Sequence, residues 1–242
     1  MQALILCAGL GTRLRPLTDN CPKALVTLCE KTLLERTIET LIHAGATHIV
    51  VNIHHFGDQI EAYIKERQWP ATIVISDERA MLLDTGGALR HALPLLRPDE
   101  PIVVHNVDIV HHIDLQSMLK CHTAQQNQAT LAVSQRDTSR LLLICNGRLC
   151  GWRNRQNGET KWSRGEQPEA EPWAFSGIAV VEPSLIEQFP GDDHPYPVIP
   201  QYLRLAASNR IGTFVHTPDN WHDIGRLSIL EALEQEWHQN EI

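Results

Sequence analysis

The chain has 242 residues, 43% of them hydrophobic and 21% charged, with a formal net charge of −8. That composition fits a globular chain with one large core, and 21 Lys plus Arg against 29 Asp plus Glu argues against a general nucleic-acid binder. Six cysteines without a C-x-x-C pair, and no apolar run of membrane-spanning length, argue against a disulfide framework or a membrane anchor and lead to the expectation of a reducing, cytoplasmic setting.

The opening apolar run, residues 3–8, has the pattern of a strand buried on both faces. It lacks the basic start of a signal peptide. Residues 32–44 carry Leu33, Leu34, Thr37, Ile38, Leu41 and Ile42 at helical spacing, with Gly45 as a stop. Strands are predicted at 48–53 and 71–76, with a helix at 57–68 between them. A helix follows at 85–96, which Pro94 should end or kink. Next come a strand at 101–106, a helix at 115–125 and a strand at 129–134.

This alternation predicts an α/β fold, a Rossmann-like, mainly parallel but mixed sheet flanked by helices. The second half is less regular. Residues 141–145 and 148–152 flank Asn146-Gly147, a strong hairpin signal. Residues 156–172 are polar and turn-rich, predicting a surface loop. A strand at 173–181, a helix at 198–207, a strand at 212–216 and a helix at 227–239 complete the reading. No repeat or linker divides the chain, so residues 1–242 are expected to form one domain.

Ligands of α/β sheets bind beyond the carboxyl ends of the strands. The stretch Ala8-Gly9-Leu10-Gly11-Thr12-Arg13 stands there, its glycines letting backbone N–H groups approach phosphate oxygens. Arg13, Arg15 and Lys23 bring positive charge to the same place. A dinucleotide fingerprint fails because position 14 is Leu, and a P-loop would need G-x-x-x-x-G-K-[ST]. A glycine turn with surface arginines is the plainer alternative for the first residues alone.

The longer pattern, Gly9-Leu10-Gly11-Thr12-Arg13-Leu14 through Pro16-Leu17-Thr18 to Pro22-Lys23, resembles the signature of the sugar-1-phosphate nucleotidyltransferases. Four later stretches carry the resemblance in order: Asp84-Thr85-Gly86-Gly87-Ala88-Leu89, Asn106-Val107-Asp108, Phe175-Ser176-Gly177-Ile178 and Trp221-His222-Asp223-Ile224-Gly225. The resemblance implies transfer of a nucleotidyl group from a nucleoside triphosphate to a sugar 1-phosphate, with release of pyrophosphate. It implies Mg²⁺ held by Asp108 and Asp223, and catalytic roles for Arg13 and Lys23.

Nucleotide contacts are expected from Ala8, Gly9, Gly11, Thr12, Arg13, Asn52, Glu78 and Gly86, and sugar-phosphate contacts from Lys23, Asp84, Thr85, Gly87, Ser176 and Gly177. The nucleotide-binding part would span roughly 1–110 and the sugar-binding part, with the second carboxylate, roughly 111–242. The compact length resembles the short bacterial members. UTP with N-acetylmuramate 1-phosphate or a related sugar phosphate is the first substrate expectation, and GTP with mannose or heptose 1-phosphate the second. Phosphocholine cytidylyl transfer, with Trp162, Trp173 and Trp221 as a cation cage, and a non-catalytic binding module are the remaining alternatives. No nucleic-acid or membrane partner is expected, and a homodimer is left open.

The chain departs from the family pattern in places. Val107 precedes the first metal-binding Asp where Gly is usual, Ala24 follows Pro22-Lys23, and Cys29-Glu30-Lys31-Thr32 replaces a glycine-lysine-proline turn. No E-K-P motif supplies a second phosphate-binding lysine, with Lys161 and Arg153 as the substitutes considered. The histidines lack zinc spacing. They are read as surface or packed residues.

Overall fold

The computed structural model describes residues 1–219 and 221–240. The strands are β1 (Gln2–Leu6), β2 (Thr27–Leu28), β3 (Lys31–Thr32), β4 (His48–Ile53), β5 (Thr72–Asp77), β6 (Ile102–Asn106), β7 (Ile109–His111), β8 (Ala129–Ser134), β9 (Arg140–Cys145), β10 (Arg148–Asn154), β11 (Thr160–Trp162), β12 (Glu171–Val181), β13 (Ile211–Val215) and β14 (Trp221–Asp223). The helices are α1 (Leu33–His43), α2 (Gly57–Lys65), α3 (Asp84–Ala92), α4 (Leu115–Ala124), α5 (Pro183–Ile186), α6 (Val198–Leu205) and α7 (Leu227–Asn240).

The main sheet runs β11-β10-β13-β8-β12-β6-β1-β4-β5, with β9 pairing β10 and β12. It is mixed. β6, β1, β4 and β5 are parallel, whereas β12 lies antiparallel to both β6 and β8. Alternate side chains of β1 enter opposite cores, Ala3 and Ile5 on one face and Leu4 on the other. That two-sided burial explains the unbroken apolar run in the sequence.

Local chemistry sets the element ends. Thr32 caps α1, its hydroxyl accepting from Glu35 N at 3.1 Å, and Gly45 leaves the helix at φ 96°. Pro94 ends α3 early, and the chain continues as a short 3-10 turn at Leu93–Leu95. Asn146 and Gly147 both take positive φ in the β9–β10 turn, as a two-residue hairpin requires. The predicted loop at 156–172 instead contains β11 and the first residues of β12, Glu171 and Pro172.

Because β1, β4 and β6 run parallel in register, Leu6, Asn52 and Asn106 end side by side at one edge. The loops leaving those strands therefore converge. A separate two-stranded ribbon, β7 with β14, pairs Asp223 with Ile109 across that edge.

Candidate active site

A cleft of about 470 Å³ opens at this edge, lined by Ala8, Gly9, Lys23, Asn52, Asp84 and Asp108 among others. Gly11, two residues beyond the lining Gly9, takes φ 66°, and a Cβ there would stand 3.0 Å from Lys23 Cβ and from Thr18 Cγ2. Only glycine combines that conformation with that closeness. Thr18 ties the loop by donating from Oγ1 to Gly11 O at 2.9 Å. Thr12 and Arg13 remain exposed.

Asn52 holds the loop's first residues. Its Oδ1 accepts from Cys7 N at 2.6 Å and Ala8 N at 3.3 Å, while its Nδ2 donates to Glu78 Oε1 at 2.8 Å. Glu78 Oε2 accepts in turn from Leu83 N at 3.3 Å. Burial is the main cause that pushes the Glu78 carboxyl upward, against these donors. Asn52 and Glu78 line the cleft, yet their side chains are largely occupied in shaping it.

The D-T-G-G turn divides. Asp84, at φ 57°, and Thr85 face the cleft. Thr85 Oγ1 also accepts from Val198 N at 3.0 Å. Gly86 and Gly87 instead turn toward Tyr196, their amides donating to its carbonyl at 2.9 and 3.3 Å. A Cβ on Gly86 would meet the Tyr196 ring at 2.5 Å. The structure thus places these two glycines in a packing contact, not on the cleft wall expected for ligand contacts.

Lys23 is 8% exposed and ion-paired with Asp108. Val107 beside it packs into the core and adopts no positive φ, so no glycine is needed there. Ile224 N donates to Asp108 O at 2.8 Å, which locks the β7–β14 ribbon against the Asp108 loop. Asp223 follows from that register. Its carboxyl is raised, first by burial and then by the charge of Asp108, with Lys23, Arg13 and Arg136 opposing. Its Oδ1 is buried without a hydrogen-bond partner. Gly225 gives room for this meeting, since a Cβ there would lie 2.7 Å from Asp223 Oδ1 and 2.8 Å from Arg13 Nη2.

Two carboxylates in mutual repulsion, one carrying an orphaned oxygen among cations, form a donor set that fits a hard divalent ion. Asp108 and Asp223 are the residues that would hold it.

On the opposite side, Gly177 takes φ 75° and presses against Asn106, whose Nδ2 would stand 3.0 Å from a Cβ. Ser176 is fully buried and belongs to a network the sequence reading did not foresee. Arg136 donates from Nη1 to Ser134 Oγ and Ser176 Oγ, both at 3.0 Å, and from Nη2 to Phe175 O. Its guanidinium carbon lies 3.8 Å from the Trp221 ring centroid. The only sequence signal was its place just after a sheet strand.

Lys161 and Arg153 lie elsewhere. Lys161 pairs with Glu159 at 3.0 Å with its side chain 57% exposed, and Arg153 donates to Thr160 on the hairpin. Neither reaches the cleft, because their strands lie at the far edge of the sheet. The aromatic cage is not assembled either: Trp162 packs by Cys145 and Cys150, and Trp173 joins the second core. Trp221 meets the cationic Arg136 instead, an arrangement hostile to a second cation.

His105 and His111 are buried and bonded to each other, Nε2 to Nε2, at 2.9 Å. Ile113 N donates to His111 Nδ1 at 2.8 Å, so His111 carries its proton on Nε2 and donates it to His105. His105 then donates from Nδ1 to Asn106 O at 2.8 Å. Both rings are neutral and satisfied.

The sequence model of a family described as nucleotidyl transferase matches residues 2–141. The chain is 32% identical to N-acetylmuramate alpha-1-phosphate uridylyltransferase of Caulobacter vibrioides over 239 residues, covering 90% of this chain and 91% of that protein. It is 36% identical to mannose-1-phosphate guanyltransferase beta-B of Xenopus laevis over 137 residues, or 56% of this chain and 38% of that one. Its fold resembles that of HddC from Yersinia pseudotuberculosis, with a TM-score of 0.75 at 20% identity and 98% and 99% coverage of the two chains. A UDP-glucose pyrophosphorylase complexed with UDP-glucose gives 0.78 at 15% identity, with 99% and 98% coverage.

Proposed function

The chain belongs to the nucleotidyl transferase family, and on that premise we propose that it is a single-domain, Mg²⁺-dependent uridylyltransferase acting on N-acetylmuramate 1-phosphate or a closely related sugar 1-phosphate. The observation that carries this reading is the meeting of Asp108, Asp223, Lys23 and Arg13 at the mouth of the glycine loop. The choice of UTP and an acidic amino sugar rests on the near full-length likeness to the uridylyltransferase. The likeness to the guanyltransferase covers 56% of the chain and makes GTP with mannose 1-phosphate the competing pair.

The nucleophile is an oxygen of the sugar phosphate, whose second pKa is about 6, so it needs no base at neutral pH. It attacks the α-phosphorus of the triphosphate, forming a new P–O bond as the bond to the β-phosphate oxygen breaks. Pyrophosphate leaves with the electron pair. The obstacle is repulsion between anions, so the residues act by placing positive charge and fixing geometry.

Backbone N–H groups around Gly9 and Gly11 cradle the triphosphate, with Ala8 and Thr12 completing the loop. Arg13 binds the departing pyrophosphate. Lys23, poised on Asp108, draws the attacking phosphate toward the α-phosphorus. Asp84 and Thr85 line the cleft where the sugar would lie, while buried Ser176 and Gly177 back it through Arg136 and Asn106. Residues roughly 111–242 otherwise form the sugar side and roughly 1–110 the nucleotide side. Bound between Asp108 and Asp223, Mg²⁺ would supply charge neutralisation at the phosphates.

The test is pyrophosphate release from each of four nucleoside triphosphates against N-acetylmuramate, mannose, glucose and heptose 1-phosphates and phosphocholine. Release needing UTP and N-acetylmuramate 1-phosphate together is expected, and it should stop with EDTA. Asp223→Asn should lower turnover at least about 100-fold while leaving Tm unchanged or raised, since it removes a buried, repelled charge. Release with GTP and mannose 1-phosphate would replace the substrate assignment. Normal turnover in Asp223→Asn would refute the metal role.

A further inference from the structure

Arg136 is half-buried, and three of its five N–H groups are held by Ser134 Oγ, Ser176 Oγ and Phe175 O, all uncharged acceptors. Among the described residues, none of the salt bridges involves it, and nothing takes the remaining two N–H groups. The acceptors are themselves ordered. His216 donates from Nδ1 to Thr217 O at 2.6 Å, which leaves its Nε2 to accept from Ser176 Oγ at 2.7 Å. Ser176 Oγ is thereby turned to accept from Arg136. Trp221 flanks the guanidinium and donates to Ser176 O at 3.0 Å, so the fork is held from three sides.

A cation taken out of water without a counter-ion is costly. Burial accordingly pulls the pKa of Arg136 down, with only the charge of Asp223 opposing. The same Asp223 carboxyl senses Lys23 and Arg13 from the glycine-loop side. Arg136 is therefore a third positive charge near Asp223. It follows β8, its partners sit on β8 and β12, and Trp221 of the Asp223 strand stacks on it. Gly177, beside Ser176, packs on the cleft residue Asn106. A planar fork with free N–H groups matches the oxygens of a phosphate.

We propose that Arg136 binds the 1-phosphate of the acceptor sugar from the sugar side, as the anion its pre-ordered guanidinium lacks. Its nearness to Asp223, where the reacting phosphates gather, selects the phosphate over a more distant carboxylate of the sugar. This inference rests on the transferase reading, because it needs an acceptor phosphate in the cleft.

The test compares wild type with Arg136→Gln and Arg136→Lys. Arg136→Gln should raise the KM for N-acetylmuramate 1-phosphate by about 10- to 100-fold, with the KM for UTP within about twofold and Tm little changed. Arg136→Lys should recover part of that loss, because the charge remains while the fork is lost. Calorimetric binding of glucose 1-phosphate, which has no carboxylate, should weaken by a similar factor. An acceptor KM within twofold of wild type overturns the proposal. So does an equal rise in both KM values, which marks a structural role, or a loss confined to the carboxylate-bearing sugar. Absence of turnover in the wild type with every acceptor would instead count against the transferase reading itself.

Discussion

Acidification should weaken the fold through the His105–His111 pair, and the size of the effect can be worked from its environment. Burial holds His105 neutral and brings its pKa down to about 4, and His111 is pushed in the same direction by burial and by its neighbour. In the unfolded chain both would titrate near 6.5. A lowered native pKa means that the unfolded state binds more protons across the interval from about 6.5 to about 4. Stability is therefore full above pH 6.5 and falls as pH drops through that window. At pH 5 an unfolded imidazole is almost fully protonated while native His105 is mostly neutral, so this ring alone lowers stability by about 2 kcal/mol relative to pH 7.5. Urea unfolding of wild type and His105→Gln at the two pH values isolates the term. The variant starts less stable, having lost a buried hydrogen bond, but its loss between pH 7.5 and 5 should be smaller by about 2 kcal/mol. Equal acid losses in the two proteins would refute the reasoning, whatever their absolute stabilities.

Gly86→Ala should destabilise by about 1–3 kcal/mol, because its Cβ meets Tyr196 O at 2.9 Å as well as the movable ring. Differential scanning calorimetry checks it, with about 2–4 °C of Tm per kcal/mol expected for a chain of this size; a Tm within 1 °C of wild type would contradict the packing role. Gly225→Ala should behave in the opposite way. Its Cβ collides with the far ends of Asp223 and Arg13 at 2.7 and 2.8 Å, which can move aside by a few tenths of an ångström. Tm should change little while kcat falls about 10- to 100-fold, since displacements of that order misalign reacting groups. An unchanged kcat would show that these two side chains need no such placement.

Much of the fold could be read in the sequence where one local rule decided the outcome. The 3.6-residue spacing and Thr32 cap of α1, and the Asn146-Gly147 turn, are of this kind. The glycine loop stood out because two glycines and three cations crowd one short stretch, the combination a phosphate site would use. The ribbon of β7 and β14 did not, since three-residue strands carry no periodicity and their pairing joins distant parts of the chain. Arg136 escaped notice for a related reason: its partners come from β8, β12 and β14, and no spacing announces them. Gly86 and Gly87 show the reverse case, a visible motif whose close packing is against Tyr196 and Leu83, partners that no spacing announces.

The β7–β14 ribbon also fixes when the site can exist. Asp108 belongs to the half of the chain that leaves the ribosome first, and Asp223 emerges only after β13 has supplied its strand beside β8. Until Trp221, His222 and Asp223 dock on residues 109–111, the nascent chain presents the glycine loop and Lys23 with a single carboxylate. A half-made molecule can build most of its sheet but cannot bring the two acidic side chains together. The approach of these two acidic residues thus waits on a tripeptide late in the chain, residues 221–223, docking on residues 109–111.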